Sequence, residues 1–120
     1  MKILVFGGRD FKDWQRLYDI LDNRLEQFGD DLIIIHGRCR TGADRYADQW
    51  ADERMVDCLR VPAKWGRGKS AGHIRNRRMA TKYKPDAAIQ FPGGNGTANM
   101  RSLCDELGIP ITEFTGKVSA

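Results

Sequence analysis

Five short apolar runs alternate with segments of helical periodicity along this chain, and the alternation constrains its fold more than any other feature. The runs are rich in β-branched residues and lie at 2–6, 32–36, 56–61, 86–91 and 109–114. Such runs are typical of strands buried on both faces of a sheet. The segments between them repeat apolar residues every three or four positions, as in Trp14–Phe28, and this spacing predicts amphipathic helices.

Strands that alternate with helices require a parallel sheet with right-handed crossovers. The sequence therefore predicts an α/β protein with a single Rossmann-like, doubly wound parallel sheet of about five strands and helices on both faces. The chain of 120 residues is long enough for one such domain. We expect the domain to cover residues 1–115 and residues 116–120 to form a flexible tail.

Several classes of protein are disfavoured by composition. No apolar run approaches the roughly 18 residues of a membrane span, and the start MKILVFGGRD is too short for a signal peptide, so we expect a cytoplasmic protein with no membrane contact. The three cysteines, Cys39, Cys58 and Cys104, lack C-x-x-C spacing. We interpret them as reduced structural thiols and predict neither a metal site nor a cofactor.

Positive charge is concentrated in one segment. The net charge is +4, yet residues 64–84 hold eight of the 20 basic residues and no acidic one. The local field should attract an anion, although a solvated basic face would show the same pattern. A small phosphorylated ligand, single-stranded nucleic acid along 64–84 and an acidic protein partner all remain open.

The loops that follow the first four predicted strands are unusually rich in glycine and arginine. They read GGRDFKD, GRCRTGAD, PAKWGRGKSAGH and PGGNGT. In an open parallel sheet these loops meet at the carboxyl edge, where ligands bind at the reversal of strand order. The sequence therefore places a binding site at this edge.

The loop PGGNGT is interpreted as a phosphate cradle formed by Pro92, Gly93, Gly94, Asn95, Gly96 and Thr97. Its glycines permit positive φ and close approach of backbone N–H groups to an oxyanion. Thr97 is predicted to cap a helix whose positive end faces the phosphate. Gly7, Gly8 and Arg9 form a predicted second wall. GRGKS at 66–70 is not a P-loop, because residue 63 is alanine.

Other side chains extend this prediction. Arg75 and Asn76 fall near the start of the third helix and could clamp a phosphate or a ribose. Trp65 lies in a basic loop where it could stack on a base. His73 is open as an acid or base and as a surface group, and His36 is expected to be a satisfied residue at the end of a strand. Trp14 and Trp50 are predicted to lie in the core.

Four motifs in order, GGRDF, GRCRTGAD, AGHIRNRRM and FPGGNGT, resemble the YspA-type, cpYpsA-related group of the SLOG superfamily. The superfamily includes the Lonely Guy phosphoribohydrolases, which cleave a nucleoside monophosphate to base and ribose 5-phosphate. It also includes sensor domains for nucleotide-derived signals and a DNA-processing protein that binds single-stranded DNA. Related proteins often form homodimers, so the resemblance makes a homodimer an expectation.

The Lonely Guy pattern PGGxGTxxE is similar to this chain at Pro92, Gly93, Gly94, Gly96 and Thr97, but Met100 takes the place of its glutamate. Arg75, Asn76 and Met79 resemble its Arg-Lys-x-x-Met stretch. A thioether cannot stabilise an oxocarbenium-like sugar or activate water.

Asp44 or Asp10 could supply the missing acid, and the predicted catalytic residues are Asp44 and Arg75. Either aspartate could instead serve only its helix, Asp44 as a first-turn acid and Asp10 as a cap. We thus predict binding of a nucleoside monophosphate or an ADP-ribose-like nucleotide, with cleavage of the N-glycosidic bond left open.

Overall fold

A computed structural model of the chain describes residues 1–68 and 70–114. The predicted tail at 116–120 lies outside these residues. Within them the elements alternate as β1 (Lys2–Phe6), α1 (Trp14–Phe28), β2 (Ile33–His36), α2 (Ala43–Arg54), β3 (Asp57–Arg60), α3 (Ala71–Thr81), β4 (Ala87–Gln90), α4 (Asn95–Leu107) and β5 (Ile111–Glu113). Short 3-10 turns occur at Gly29–Asp31 and Trp65–Arg67.

The five strands form one parallel sheet in the order β3-β2-β1-β4-β5. The chain moves outward from β1 to β3, then crosses back to place β4 on the other side of β1. Strand order therefore reverses between β1 and β4, which brings the loops after these two strands side by side. The predicted Rossmann-like, doubly wound α/β fold is confirmed.

Each face of the sheet carries its own hydrophobic cluster. Ile3 and Val5 of β1 point to the cluster shared with α1 and α2, which includes the fully buried Trp50. Leu4 and Phe6 point to the opposite cluster, shared with α3 and α4. This alternation along one strand places helices on both faces, as predicted.

The two helical tryptophans differ from each other in burial. Trp50 is in the core, and its indole Nε1 donates a hydrogen bond to Asp22 Oδ1 at 2.8 Å. Trp14, predicted to be in the core, is 47% exposed and packs edge-on against Tyr18. Helical side chains lean toward the N-terminus, so a residue in the first position of α1 extends beyond the sheet.

Among residues 1–68 and 70–114, no helix is both long and apolar enough to span a membrane.

Candidate functional site

A cleft of about 1290 Å³ opens at the carboxyl edge of the sheet, above the reversal of strand order. The final residues of β1 and β2, Phe6 and His36, lie at its floor. The loops after β1 to β4 and the first turns of α2, α3 and α4 form its walls. Pockets for small ligands usually enclose about 300–1,000 Å³, so a nucleotide fits within this volume.

The N-terminus of α4 faces the cleft without a side-chain cap. Its N-cap is Gly94, and the N–H groups of Asn95, Gly96 and Thr97 have no acceptor inside the helix. All four residues line the cleft. The prediction that Thr97 is the N-cap was wrong, because the helix begins two residues earlier and Thr97 is buried in its first turn.

Among the glycines of this loop, Gly93 is required by close packing, and none is required by an unusual dihedral angle. None of Gly93, Gly94 and Gly96 has positive φ, which corrects the predicted reason for their presence. A Cβ at Gly93 would lie 2.6 Å from the Gly8 nitrogen and 2.9 Å from Gly8 Cα. A Cβ at Gly96 would meet no atom within 4 Å.

The GGR loop after β1 is held directly against the PGGNGT loop, the predicted phosphate loop at residues 92–97. Gly8 N donates a hydrogen bond to Pro92 O at 2.8 Å, so this N–H is not free for a ligand. A Cβ at Gly7 would lie 2.9 Å from the Cβ atoms of both Ala43 and Phe91. Gly7 and Gly8 line the cleft, whereas Pro92 and Gly93 are exposed residues outside its lining.

Four exposed arginines surround the mouth of the cleft: Arg9, Arg38, Arg40 and Arg45. None of them forms an ion pair with another described residue. Only Arg9 was predicted as a site residue. The other three lie in the stretch GRCRTGADR. The sequence does not show which of its arginine side chains face the cleft.

Arg75 and Asp44 flank Gly37 inside the cleft. The Arg75 Nη1 group donates to Gly37 O at 2.5 Å, and Asp44 Oδ2 accepts from Cys39 N at 3.1 Å. Burial raises the pKa of the Asp44 carboxyl and lowers the pKa of the Arg75 guanidinium. Asp44 lies in the first turn of α2, where it holds the GRCR loop in place.

Asn76 is 5% exposed and joins α3 to α4. Its Nδ2 donates to Gly96 O at 3.2 Å and to Asn99 Oδ1 at 2.9 Å. Its Oδ1 accepts from Arg75 Nε at 3.0 Å. Both ends of the amide are therefore occupied by hydrogen bonds within the protein.

His36, Asp48 and Cys58 bring three potential metal ligands within 4.8 Å of one another. His36 Nδ1 accepts from Arg38 N at 2.9 Å, so the neutral ring carries its proton on Nε2, which donates to Asp48 Oδ1 at 2.9 Å. A histidine that binds a metal normally donates from its other nitrogen. These hydrogen bonds therefore favour a buried polar network over a metal centre.

Arg60 completes this network by bonding to Asp48 from the neighbouring strand. Although burial raises the pKa of Asp48, the hydrogen bonds from Arg60 and His36 hold it below its usual value. His36 is 1% exposed and is a satisfied residue at the end of its strand. The linear sequence does not show that Asp48 forms hydrogen bonds with residues of β2 and β3.

Several predicted residues lie elsewhere in or around the cleft. Asp10 is exposed outside the lining, and the cap of α1 is Asp13, whose Oδ1 accepts from Arg16 N at 3.2 Å. His73 lines the cleft at its surface. Met100 is 1% exposed and lies against the cleft from the core side.

The basic segment at 64–84 contributes little to the cleft. Among its described basic side chains, Arg75 is the one that lines the cleft. Arg77 instead pairs with Glu106 on the outside of α3 at 3.8 Å. The basic segment therefore reaches the cleft through Arg75, and the other arginines of the lining come from other parts of the chain.

Comparison with known proteins identifies the family of the chain. The family model for the YspA, cpYpsA-related SLOG family matches residues 1–68. The chain is also 32% identical over 124 residues to the Gene 61 protein of Mycobacterium phage D29, an alignment that covers 97% of this chain and 98% of that protein. The chain therefore belongs to the YspA, cpYpsA-related SLOG family.

Proposed function

We propose that this protein binds a phosphorylated ribose ligand, a nucleoside monophosphate or an ADP-ribose-like nucleotide, in the cleft at the carboxyl edge of the sheet. One observation carries the proposal. The uncapped N-terminus of α4 opens into a cleft whose mouth holds Arg9, Arg38, Arg40 and Arg45 without ion-pair partners among the described residues.

The electrostatics of the cleft favour an anion. Free N–H groups and the helix dipole attract a phosphate at the start of α4. The exposed arginines add long-range attraction and can form bidentate hydrogen bonds with phosphate oxygens. The two carboxylates in the lining oppose this weakly, since Asp44 lies beside Arg75 and Asp48 is bonded to Arg60 and His36.

The lack of a free acidic residue at the expected catalytic positions favours binding without cleavage. The position of the glutamate in the Lonely Guy pattern is occupied by the buried thioether of Met100. Asp44 is buried, and its Oδ2 already accepts the N–H of Cys39. We therefore expect no base to be released from nucleoside 5′-monophosphates, measured by chromatography after long incubation. Release that stops in Asp44→Asn would instead establish hydrolysis.

Thermal shift with a panel of nucleotides tests the binding proposal. Gly96→Asp adds a carboxylate beside the free N–H groups, in open space and in a helical turn that tolerates acids. It should abolish the shift. Ala98→Asp is the matched control, because it adds the same charge two residues later at an exposed position outside the lining. A wild-type protein that responds to no nucleotide in the panel would refute the proposal.

Single-stranded nucleic-acid binding along 64–84 is the alternative from the sequence. The basic side chains of α3 outside the cleft form a dispersed surface, and one of them is already paired with Glu106. A charge-reversed Arg78→Glu variant separates the two functions, since Arg78 is exposed and outside the lining. It should leave nucleotide binding unchanged. Oligonucleotide binding through this surface would instead weaken, and its affinity would depend less steeply on salt concentration.

A further inference from the structure

The cleft has a basic part and an apolar part, and the two parts come from different loops. The exposed arginines come from the loops after β1 and β2 (Arg9, Arg38 and Arg40) and from the first turn of α2 (Arg45). The side that precedes α3 is instead lined by Pro62, Ala63 and Trp65, with Met79 behind them. A ligand with one charged end and one flat apolar end would match both parts.

Trp65 is the exposed aromatic group in this apolar part. It is 53% exposed, although it lines the cleft. A Cβ at Gly72 would lie 3.1 Å from Trp65 Cη2, so the indole rests directly on the backbone of α3. The Arg9 guanidinium carbon lies 5.3 Å from the centroid of the ring. The indole is thus held from two sides while much of its surface stays accessible.

Helix α3 supports both the indole of Trp65 and the start of α4. Gly72, which supports the indole, precedes Asn76 by four residues on α3, a rise of about 6 Å. Asn76 is hydrogen-bonded to Gly96 in the first turn of α4. Arg9 makes a second link, because its neighbour Gly8 is bonded to Pro92 while its side chain covers the indole. The points on α3 that support the indole and the start of α4 therefore lie about one helical turn apart.

From this geometry we infer that Trp65 is the base-binding residue of the cleft and stacks on the nucleobase of a nucleotide whose phosphate lies at the N-terminus of α4. The inference rests on the proposed function and adds the position of the base. Stacking uses the π face that every base presents, so the chain should discriminate weakly among bases. Arg9 on the same indole contributes a cation to the stack.

Calorimetric titration of two probes, adenosine 5′-monophosphate and ribose 5-phosphate, separates the base from the phosphate. Trp65→Ala should weaken binding of the nucleotide by about 5- to 150-fold, the range for loss of one base–aromatic stack. Its affinity for ribose 5-phosphate should stay within about twofold of the wild-type value. Trp65→Phe should recover most of the nucleotide affinity. Trp14→Ala, a change at an exposed tryptophan outside the cleft, should alter neither affinity.

Fluorescence gives a second readout. A stacked base should quench the tryptophan emission of the wild-type protein but not that of Trp65→Phe, which lacks the stacking indole. Equal loss of affinity for both probes in Trp65→Ala, or no loss for either, would overturn the base-binding role without contradicting the proposed function. If the wild-type protein binds neither probe, the proposed function fails and the inference fails with it. Circular dichroism of each variant shows whether a loss of affinity reflects unfolding.

Discussion

Replacing Gly93 by alanine should destabilise the fold, because the new Cβ would enter the contact between the phosphate loop and the GGR loop. It would lie 2.6 Å from Gly8 N, 2.9 Å from Gly8 Cα and against Thr97 Oγ1. Two of these three neighbours are backbone atoms, which cannot move aside as the end of a flexible side chain can. The loops must therefore separate.

The expected magnitude follows from two contributions. Overpacking of a tight contact costs about 1–3 kcal/mol. Separation of the loops also strains or breaks the hydrogen bond from Gly8 N to Pro92 O, which contributes about 0.5–1.5 kcal/mol. Gly93→Ala should thus lower the free energy of unfolding by roughly 2–4 kcal/mol, a large share of the 5–15 kcal/mol typical of a domain.

Gly96→Ala is the matched control, three residues later in the same loop and helix start. Its Cβ would meet no atom within 4 Å, and the residue lies within α4. Alanine in a helix is more favourable than glycine by about 0.5–1 kcal/mol, so this variant should be slightly more stable than the wild type.

Urea unfolding followed by tryptophan fluorescence measures both variants, since Trp50 is fully buried. With a slope of about 2 kcal/mol per molar, the midpoint of Gly93→Ala should fall by about 1–2 M. Equal midpoints for the two variants would refute the packing role assigned to Gly93.

Three further changes follow from backbone geometry and burial. Met55 ends α2 with φ of 54° and is 92% exposed, so Met55→Gly should relieve left-handed strain and raise the free energy of unfolding by about 0.5–1 kcal/mol, measured in urea. Burial raises the pKa of Asp44 in the folded state, so this group favours folding at low pH and its contribution falls as pH rises through 3.8 toward the folded pKa. Asp44→Asn should remove that fall from a plot of stability against pH, whereas an unchanged plot would contradict the burial argument. Burial also raises the pKa of Cys58 and of Cys104 to about 11, so iodoacetamide at pH 8 should leave both unmodified until urea unfolds the chain, as peptide mass spectrometry would show.

The fold could be predicted because strands buried on both faces of a parallel sheet need continuous apolar runs, and these are visible in the sequence. The edge that carries the site followed from topology, since all loops after the strands emerge together. The wrong predictions concern residues at the starts of helices. Trp14 has the right period for the core but begins its helix, and Thr97 has the right chemistry for a cap but lies inside the first turn.

Contacts between distant residues had no comparable signal. Asp48 receives hydrogen bonds from His36 and Arg60, which lie 12 residues away on either side. Asn76 of α3 donates a hydrogen bond to Gly96 O of α4. Periodicity describes which face of an element is apolar, but it does not say which polar side chains of different elements meet.

The site depends on the packing of two loops that are far apart in the chain. The GGR loop lies within residues 1–68, the part matched by the family model, and the phosphate loop lies beyond it. The Gly8–Pro92 hydrogen bond and the Gly8–Gly93 contact join them at the reversal of strand order. Because Arg9 follows Gly8 directly, the same contact that shapes the phosphate loop also sets the guanidinium over Trp65. A change that separates these loops should therefore weaken recognition of phosphate and base together, whereas a change at Trp65 alone should weaken only recognition of the base.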